Sequence, residues 1–138
     1  MKLTLAQLQP HLERQMASVY LLTGDEPLLL QEARDAIRQA AHRAGYAEHH
    51  RIATDIADWP GALYAATHSL SLLATRRFVE ADLRTVRLTP THTKSLAEQV
   101  STLPGDVVLL LIGKRPDAKG APPAWHAACD KAGVSLPV

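Results

Sequence analysis

The chain has one cysteine, no apolar run of membrane-spanning length, almost no excess of either charge and no Gly-Lys-Ser/Thr anywhere. Each absence excludes something. The lone thiol, Cys129, rules out an internal disulfide and points to a reducing, cytoplasmic setting. No stretch approaches the roughly 20 apolar residues of a spanning helix. The start, Met1-Lys2-Leu3-Thr4-Leu5-Ala6-Gln7, lacks the continuous apolar segment of a signal peptide, so no membrane is expected as a partner. A net charge of +1 is too balanced for a protein that binds nucleic acid tightly by neutralising phosphates. With 138 residues, 46% of them hydrophobic and 21% charged, one globular domain is expected. The apolar end Ser135-Leu136-Pro137-Val138 reads as the cut edge of a longer protein.

What is present is an alternation of helices and strands. Residues 4–15 read as a helix, with Thr4 as N-cap and Leu5, Leu8 and Leu12 as its apolar stripe. Residues 18–23 read as a strand. Pro27 then opens a long helix, capped by Asp25 or Glu26. Leu30, Ala33, Ile37, Ala41 and Ala44 form its buried stripe; Gln31, Arg34, Asp35, Arg38 and His42 form its wet face; Gly45 stops it. His49 to Ala53 is a weak strand. Asp58-Trp59-Pro60 opens a helix carrying Leu63, Ala66 and Leu70, and Arg76 to Asp82 is a third strand. A helix from Thr91 or Thr93 through Leu103 ends at the turn Pro104-Gly105-Asp106. Val107 to Ile112 is the clearest strand, because six apolar residues without alternation require cover on both faces. A loop from Gly113 to Pro123, a helix to about Ala132 and a last strand from Val134 complete the chain. Five strands alternating with helices predict an α/β fold, with a parallel sheet covered on both sides and right-handed crossovers.

The strand-turn-helix at Val19–Glu32 is where a nucleotide-binding protein holds phosphate. Here Gly24 is followed by Asp25, Glu26 and Pro27, two carboxylates that repel phosphate, and no lysine offsets them. The single Gly-Lys pair, Gly113-Lys114, precedes Arg115-Pro116 rather than a helix and reads as a solvated loop. The strand at Val107–Ile112 also lacks a terminal acidic residue for Mg²⁺. Two parts of an ATPase are therefore missing. The seven histidines form no ligand set: His49 and His50 point to opposite sides of a strand, and His42, His68, His92 and His126 are scattered. Cys129 lies three residues after His126 on one helix, and a small core residue is its favoured role over a nucleophile. Pattern alone makes Leu72 and Leu73, just past the stripe Leu63, Ala66 and Leu70, core residues; the competing role is an exposed knob for a partner.

The run Val19-Tyr20-Leu21-Leu22-Thr23-Gly24-Asp25-Glu26-Pro27-Leu28-Leu29-Leu30-Gln31-Glu32 resembles the delta-subunit family of the bacterial DNA polymerase III clamp loader. So do Asp35–Arg38, Gly45-Tyr46, Glu48–His50, Leu70–Arg76, Asp106–Ile112 and Ala124-Trp125. The resemblance implies an AAA+ (RecA-like, P-loop NTPase-type) three-layer fold around a five-stranded parallel sheet. Its nucleotide site would be degenerate at Gly24, Asp25, Glu26 and Pro27, with no cofactor, no metal and no catalytic residue. It implies that residues 1–138 are the N-terminal domain, with the helical lid and collar domains outside the chain. It implies a non-catalytic subunit of a DNA-directed DNA polymerase holoenzyme, a nucleotidyltransferase, which binds the beta sliding clamp and helps open the ring for loading onto primed DNA. Gamma/tau and delta prime subunits would be partners through the missing domains, primed DNA would be met only within the complex, and the domain alone would be a monomer.

The resemblance places the clamp-binding element on Leu70, Leu72 and Leu73, with Leu73 where an aromatic is commoner, and so reverses the pattern-based reading of the two leucines as core. Filling a pocket with each is worth roughly 1.5–3 kcal/mol. Two readings compete with this one. One is a divergent P-loop-type NTPase using Lys114 or another residue unconventionally. The other is a nucleic-acid-binding module, for which Arg76, Arg77, Arg84 and Arg87 are the only local cluster.

Overall fold

The computed structural model describes residues 1–69, 75–116 and 120–138. Ten elements follow one another: α1 (Leu5–Arg14), β1 (Val19–Thr23), α2 (Pro27–Arg43), β2 (Glu48–Arg51), α3 (Trp59–His68), β3 (Arg77–Asp82), α4 (Pro90–Ser101), β4 (Val107–Gly113), α5 (Ala124–Ala132) and β5 (Val134–Pro137). The strands form one sheet in the order β2-β3-β4-β1-β5, and every pairing is parallel. All described elements were expected from the sequence, with ends shifted by three residues at most.

Helix starts follow local chemistry. In α2, Pro27 needs no amide partner in the first turn, and the Glu26 carboxylate accepts from Leu28 N. In α3, the Asp58 carboxylate accepts from Gly61 N. In α4, Thr89 Oγ1 accepts from His92 N at 3.2 Å, while His92 Nδ1 accepts from Thr89 N at 3.3 Å, a reciprocal cap built with a histidine. The cap lies two residues ahead of the expected Thr91. Gly45, at φ 97°, ends α2 as expected.

The sheet separates two apolar layers. On one face, Tyr20, Leu22, Phe78, Leu110, Ile112 and Leu136 meet α1 and α2 through Leu8, Leu12, Leu30 and Ile37. On the other, Leu21, Val79, Leu109 and Leu111 meet α3, α4 and α5 through Leu63, Leu96, Val100, Trp125 and Cys129. All seven residues of β4 are buried, as the unbroken apolar run requires.

Several surface assignments change. Leu5 is exposed, and His11 takes its place in the α1 stripe with Leu8 and Leu12. The swap has a reason: Tyr20 Oη accepts from Ala17 N at 2.9 Å and sits 2.9 Å from His11 Nε2, so it can hand that buried nitrogen its proton. Burial pushes the Tyr20 phenol up to about 12. In α2, Ala40 is buried and Ala44 is exposed. Leu63 of the α3 stripe is buried and Ala66 half-buried, whereas Leu70 lies outside the described residues.

Two tests follow. A Cβ on Gly133 would lie 2.2 Å from the backbone oxygen of Val19, in a strand that cannot move, whereas one on Gly105 meets nothing within 4 Å. Gly133→Ala should lower stability by about 1–3 kcal/mol in urea unfolding, and Gly105→Ala by no more than about 0.5 kcal/mol. Burial lowers the pKa of both His11 and His126, with Arg14 adding to the effect at His11. Both are therefore neutral in the fold above the ordinary histidine pKa of 6.5. Their contribution is fully present there and is lost as pH falls through the lowered folded values, because the unfolded chain takes up protons first. The urea midpoint should fall as pH drops from about 7 to about 5, and His11→Gln should flatten part of that fall.

Candidate functional site

Strands β1 and β4 are neighbours whose outgoing connections leave on opposite faces, toward α2 and toward α5 respectively. Crevices at such points are where open α/β sheets bind ligands. The loop Gly24, Asp25, Glu26 and Pro27 occupies this position, as expected of a phosphate loop. The first turn of α2 is partly capped from within. The amide of Leu28 is taken by Glu26 Oε1 at 2.8 Å, Pro27 has no amide, and Leu30 N bonds Glu26 O at 3.1 Å. The positive end of α2 is thus occupied by a carboxylate of the same chain.

Gly24, at φ 145°, is there for another reason. A Cβ on it would lie 2.6 Å from Val138 O, and Val138 N bonds Thr23 O at 2.7 Å. The backbone of Val138 therefore runs close against this turn. Asp25 is exposed, with Arg115 Nη2 at 3.8 Å, and Arg115 also bonds Val138 O at 3.1 Å. Lys114 points to solvent.

Asp82 is a carboxylate at the end of β3. Burial works against its charge, but bonds from Arg84 prevail and hold its pKa below the usual carboxylate range. It is fully engaged by its partner two residues on. Among the described residues no group of three His, Cys, Asp or Glu side chains converges as a metal site. His126 and Cys129 are both buried, and burial, with Asp130 adding to it, pushes the thiol up to about 12, so it is a protonated core group.

The expected cluster Arg76, Arg77, Arg84 and Arg87 does not form a basic stripe. Arg77 is buried, with its Nε unpartnered, Arg84 is locked on Asp82, and Arg76 and Arg87 lie at opposite ends of β3. Leu72 and Leu73, like Leu70, fall in residues 70–74, outside the described residues. That segment connects the end of α3 to the approach to β3. His68 ties this end of α3 to the end of α4, with Nε2 donating to Thr102 O at 3.1 Å.

One cluster escaped the sequence reading. Glu80 is 3% exposed on the α1/α2 face of β3. Arg34, assigned to the wet face of α2, reaches it through both Nε and Nη2. From β2, Arg51 Nε lies at 3.4 Å and His49 Nε2 at 3.6 Å from the same carboxylate. The Glu80 hydrogen bond, the larger influence, and its charge raise the Arg34 pKa. The signal in the sequence was a lone acid in the apolar run Phe78-Val79-Glu80-Ala81, since a buried charge needs a partner.

The family described as DNA polymerase III, delta subunit, matches residues 20–130. The chain is 33% identical to DNA polymerase III subunit delta of Escherichia coli K12 over 137 residues, covering 94% of this chain and 38% of that protein. It is 37% identical to the Haemophilus influenzae protein of the same name over 106 residues, 76% of this chain and 30% of that one. The chain thus spans about a third of the length of these relatives. Among solved structures, the Bacillus subtilis DNA clamp loader delta protein aligns with a TM-score of 0.67 at 18% identity, over 97% of this chain and 42% of that one. A DNA polymerase III gamma subunit-related protein from Thermotoga maritima aligns with a TM-score of 0.61 at 13% identity, over 97% and 45%. The two structures establish the fold as the three-layer AAA+ type, and with residues 20–130 matched, the chain belongs to the DNA polymerase III delta subunit family.

Proposed function

We propose that this chain is the AAA+-like, clamp-binding N-terminal domain of a clamp-loader delta subunit, and that it neither binds nor hydrolyses ATP. Family membership across residues 20–130 carries the reading. The loop at Gly24–Pro27 supports its second half, because Glu26 caps the helix end that a triphosphate would need and the Val138 backbone crowds the turn. A divergent NTPase using Lys114 gains no support: that side chain is exposed and follows β4 into a loop rather than a helix. In this reading the beta sliding clamp is the direct partner, gamma/tau and delta prime subunits are reached through further domains, and the work is done in the cytoplasm. No described helix is long and apolar enough to cross a membrane.

Attachment falls to Leu70, Leu72 and Leu73 in the connection between α3 and β3. A binder opens a ring only if it favours the open form over the closed one. The leucines supply grip, and surrounding contacts supply the difference between the two forms.

Leu72→Ser with Leu73→Ser should weaken binding to the cognate sliding clamp by about two or more decades, measured by surface plasmon resonance. The far-UV spectrum and melting temperature should stay those of the wild type. An unfolded variant would return the leucines to the core, and a folded variant that still binds would move the clamp site elsewhere. Magnesium ATP in large excess should leave the melting temperature unchanged, since a ligand that binds only the folded state must raise it; a rise would reinstate the nucleotide reading.

A further inference from the structure

A furrow runs between the C-terminal half of α2 and β2, floored by Phe78. Arg38, His42 and Arg43 line it from the helix, and Tyr46 and His49 from the loop and strand beyond. It is open to solvent, with a volume of about 360 Å³, and no carboxylate lines it among the described residues. Two further arginines flank it. Arg76 lies over the Tyr46 ring, 5.5 Å from its centroid, and Arg51 stands beside His49 on the same face of β2.

Most of this charge is uncommitted. The Arg43 side chain makes no hydrogen bond or ion pair with another described residue. Arg51 is 65% exposed, and its reach to Glu80 is shared with Arg34, which satisfies both oxygens of that carboxylate. Arg38 touches one oxygen of Asp35 at 3.2 Å at the surface, a pair of little net worth. The Glu48 carboxylate is turned to His50. Four arginines therefore face Asp35 and an already neutralised Glu80, in a chain whose total charge is only +1. The acids that balance the total lie elsewhere, such as Asp25 and Glu26 at the far end of α2.

We propose that this furrow binds single-stranded DNA, with Arg38, Arg43 and Arg51 on the phosphates and the exposed ring of His49 available to an unpaired base. Cations strung along a groove with interleaved rings are the means by which proteins hold single strands without reading sequence. Arginine forks fit phosphate oxygens in pairs. On α2, Arg38 and Arg43 are five residues apart, about 7.5 Å along the axis, so the charges form a track rather than a point. Family membership makes DNA a substance this chain works beside. An acidic protein segment is the rival occupant, but the His49 ring gives it no advantage, whereas it does favour a base. The proposal is independent of the leucine segment and of the clamp.

The test uses the 138-residue chain and a fluorescein-labelled oligothymidylate, followed by anisotropy at low ionic strength. Binding should weaken with salt with a logarithmic slope of about −2, as expected for three phosphates neutralised on a single strand. Combining Arg38→Ala, Arg43→Ala and Arg51→Ala should lower affinity by about tenfold or more and flatten the slope. The same three positions changed to Lys should stay within about threefold of wild type, since charge is the main term. Arg87→Ala, beyond the opposite end of β3, should change nothing. Melting curves establish that each variant is folded. No binding by wild type at low salt overturns the proposal, as does a folded alanine variant that binds like wild type. Displacement of the oligonucleotide by poly-glutamate at equal charge concentration would assign the furrow to an acidic protein instead.

Discussion

The molecule is organised around a strand that cannot touch water. All seven residues of β4 are buried, with leucines at 109, 110 and 111 facing alternate sides. A strand apolar on both faces must be covered on both, so helices have to lie above and below it. Parallel neighbours on each side then require crossovers, and the crossovers supply those helices. Truncating one such leucine to alanine removes about 2–5 kcal/mol, a large share of what holds a domain together. The three-layer form is therefore a consequence of β4, and the position of the loop after β1, beside it, follows in turn.

Against this apolar frame, Glu80 is the exception that ties α2 to β2 and β3. Its charge is out of water, and three side chains from two elements gather on it. Removing charges of this kind from water costs so much that the pair contributes little net stability; what it fixes is placement. Arg34 cannot satisfy both oxygens unless α2 lies at one height over the sheet. Arg38 and His42 follow Arg34 on the same row of α2, one and two turns on, and line the furrow there.

Local features were legible in the sequence and remote pairings were not. The absence of a phosphate loop could be read because it involves neighbours: Gly24 through Pro27 declare their chemistry within four residues. The strands at Val107 and Val19 announced themselves by composition. β2 was faint because it is an edge strand with half-solvated residues, so its pattern carries little apolar signal. Periodicity finds a helix face but not what stands opposite, which is why Arg34 seemed wet and Leu5 seemed buried. Arg34 and Glu80 are 46 residues apart. Their meeting depends on strand order, which the sequence does not state.

The two edges of the sheet are closed by different means. Along β5, the chain start makes an isolated parallel bridge at Lys2: Leu3 N bonds Ser135 O and Ser135 N bonds Met1 O, both at 2.9 Å. At the other side, β2 is four residues long and reads Glu-His-His-Arg. A free strand edge is a template for other chains, and short, charged or covered edges are how proteins refuse that pairing. Both edges are thus partly guarded against pairing with a second sheet. Backbone pairing between copies is thereby discouraged, and association falls more to side chains.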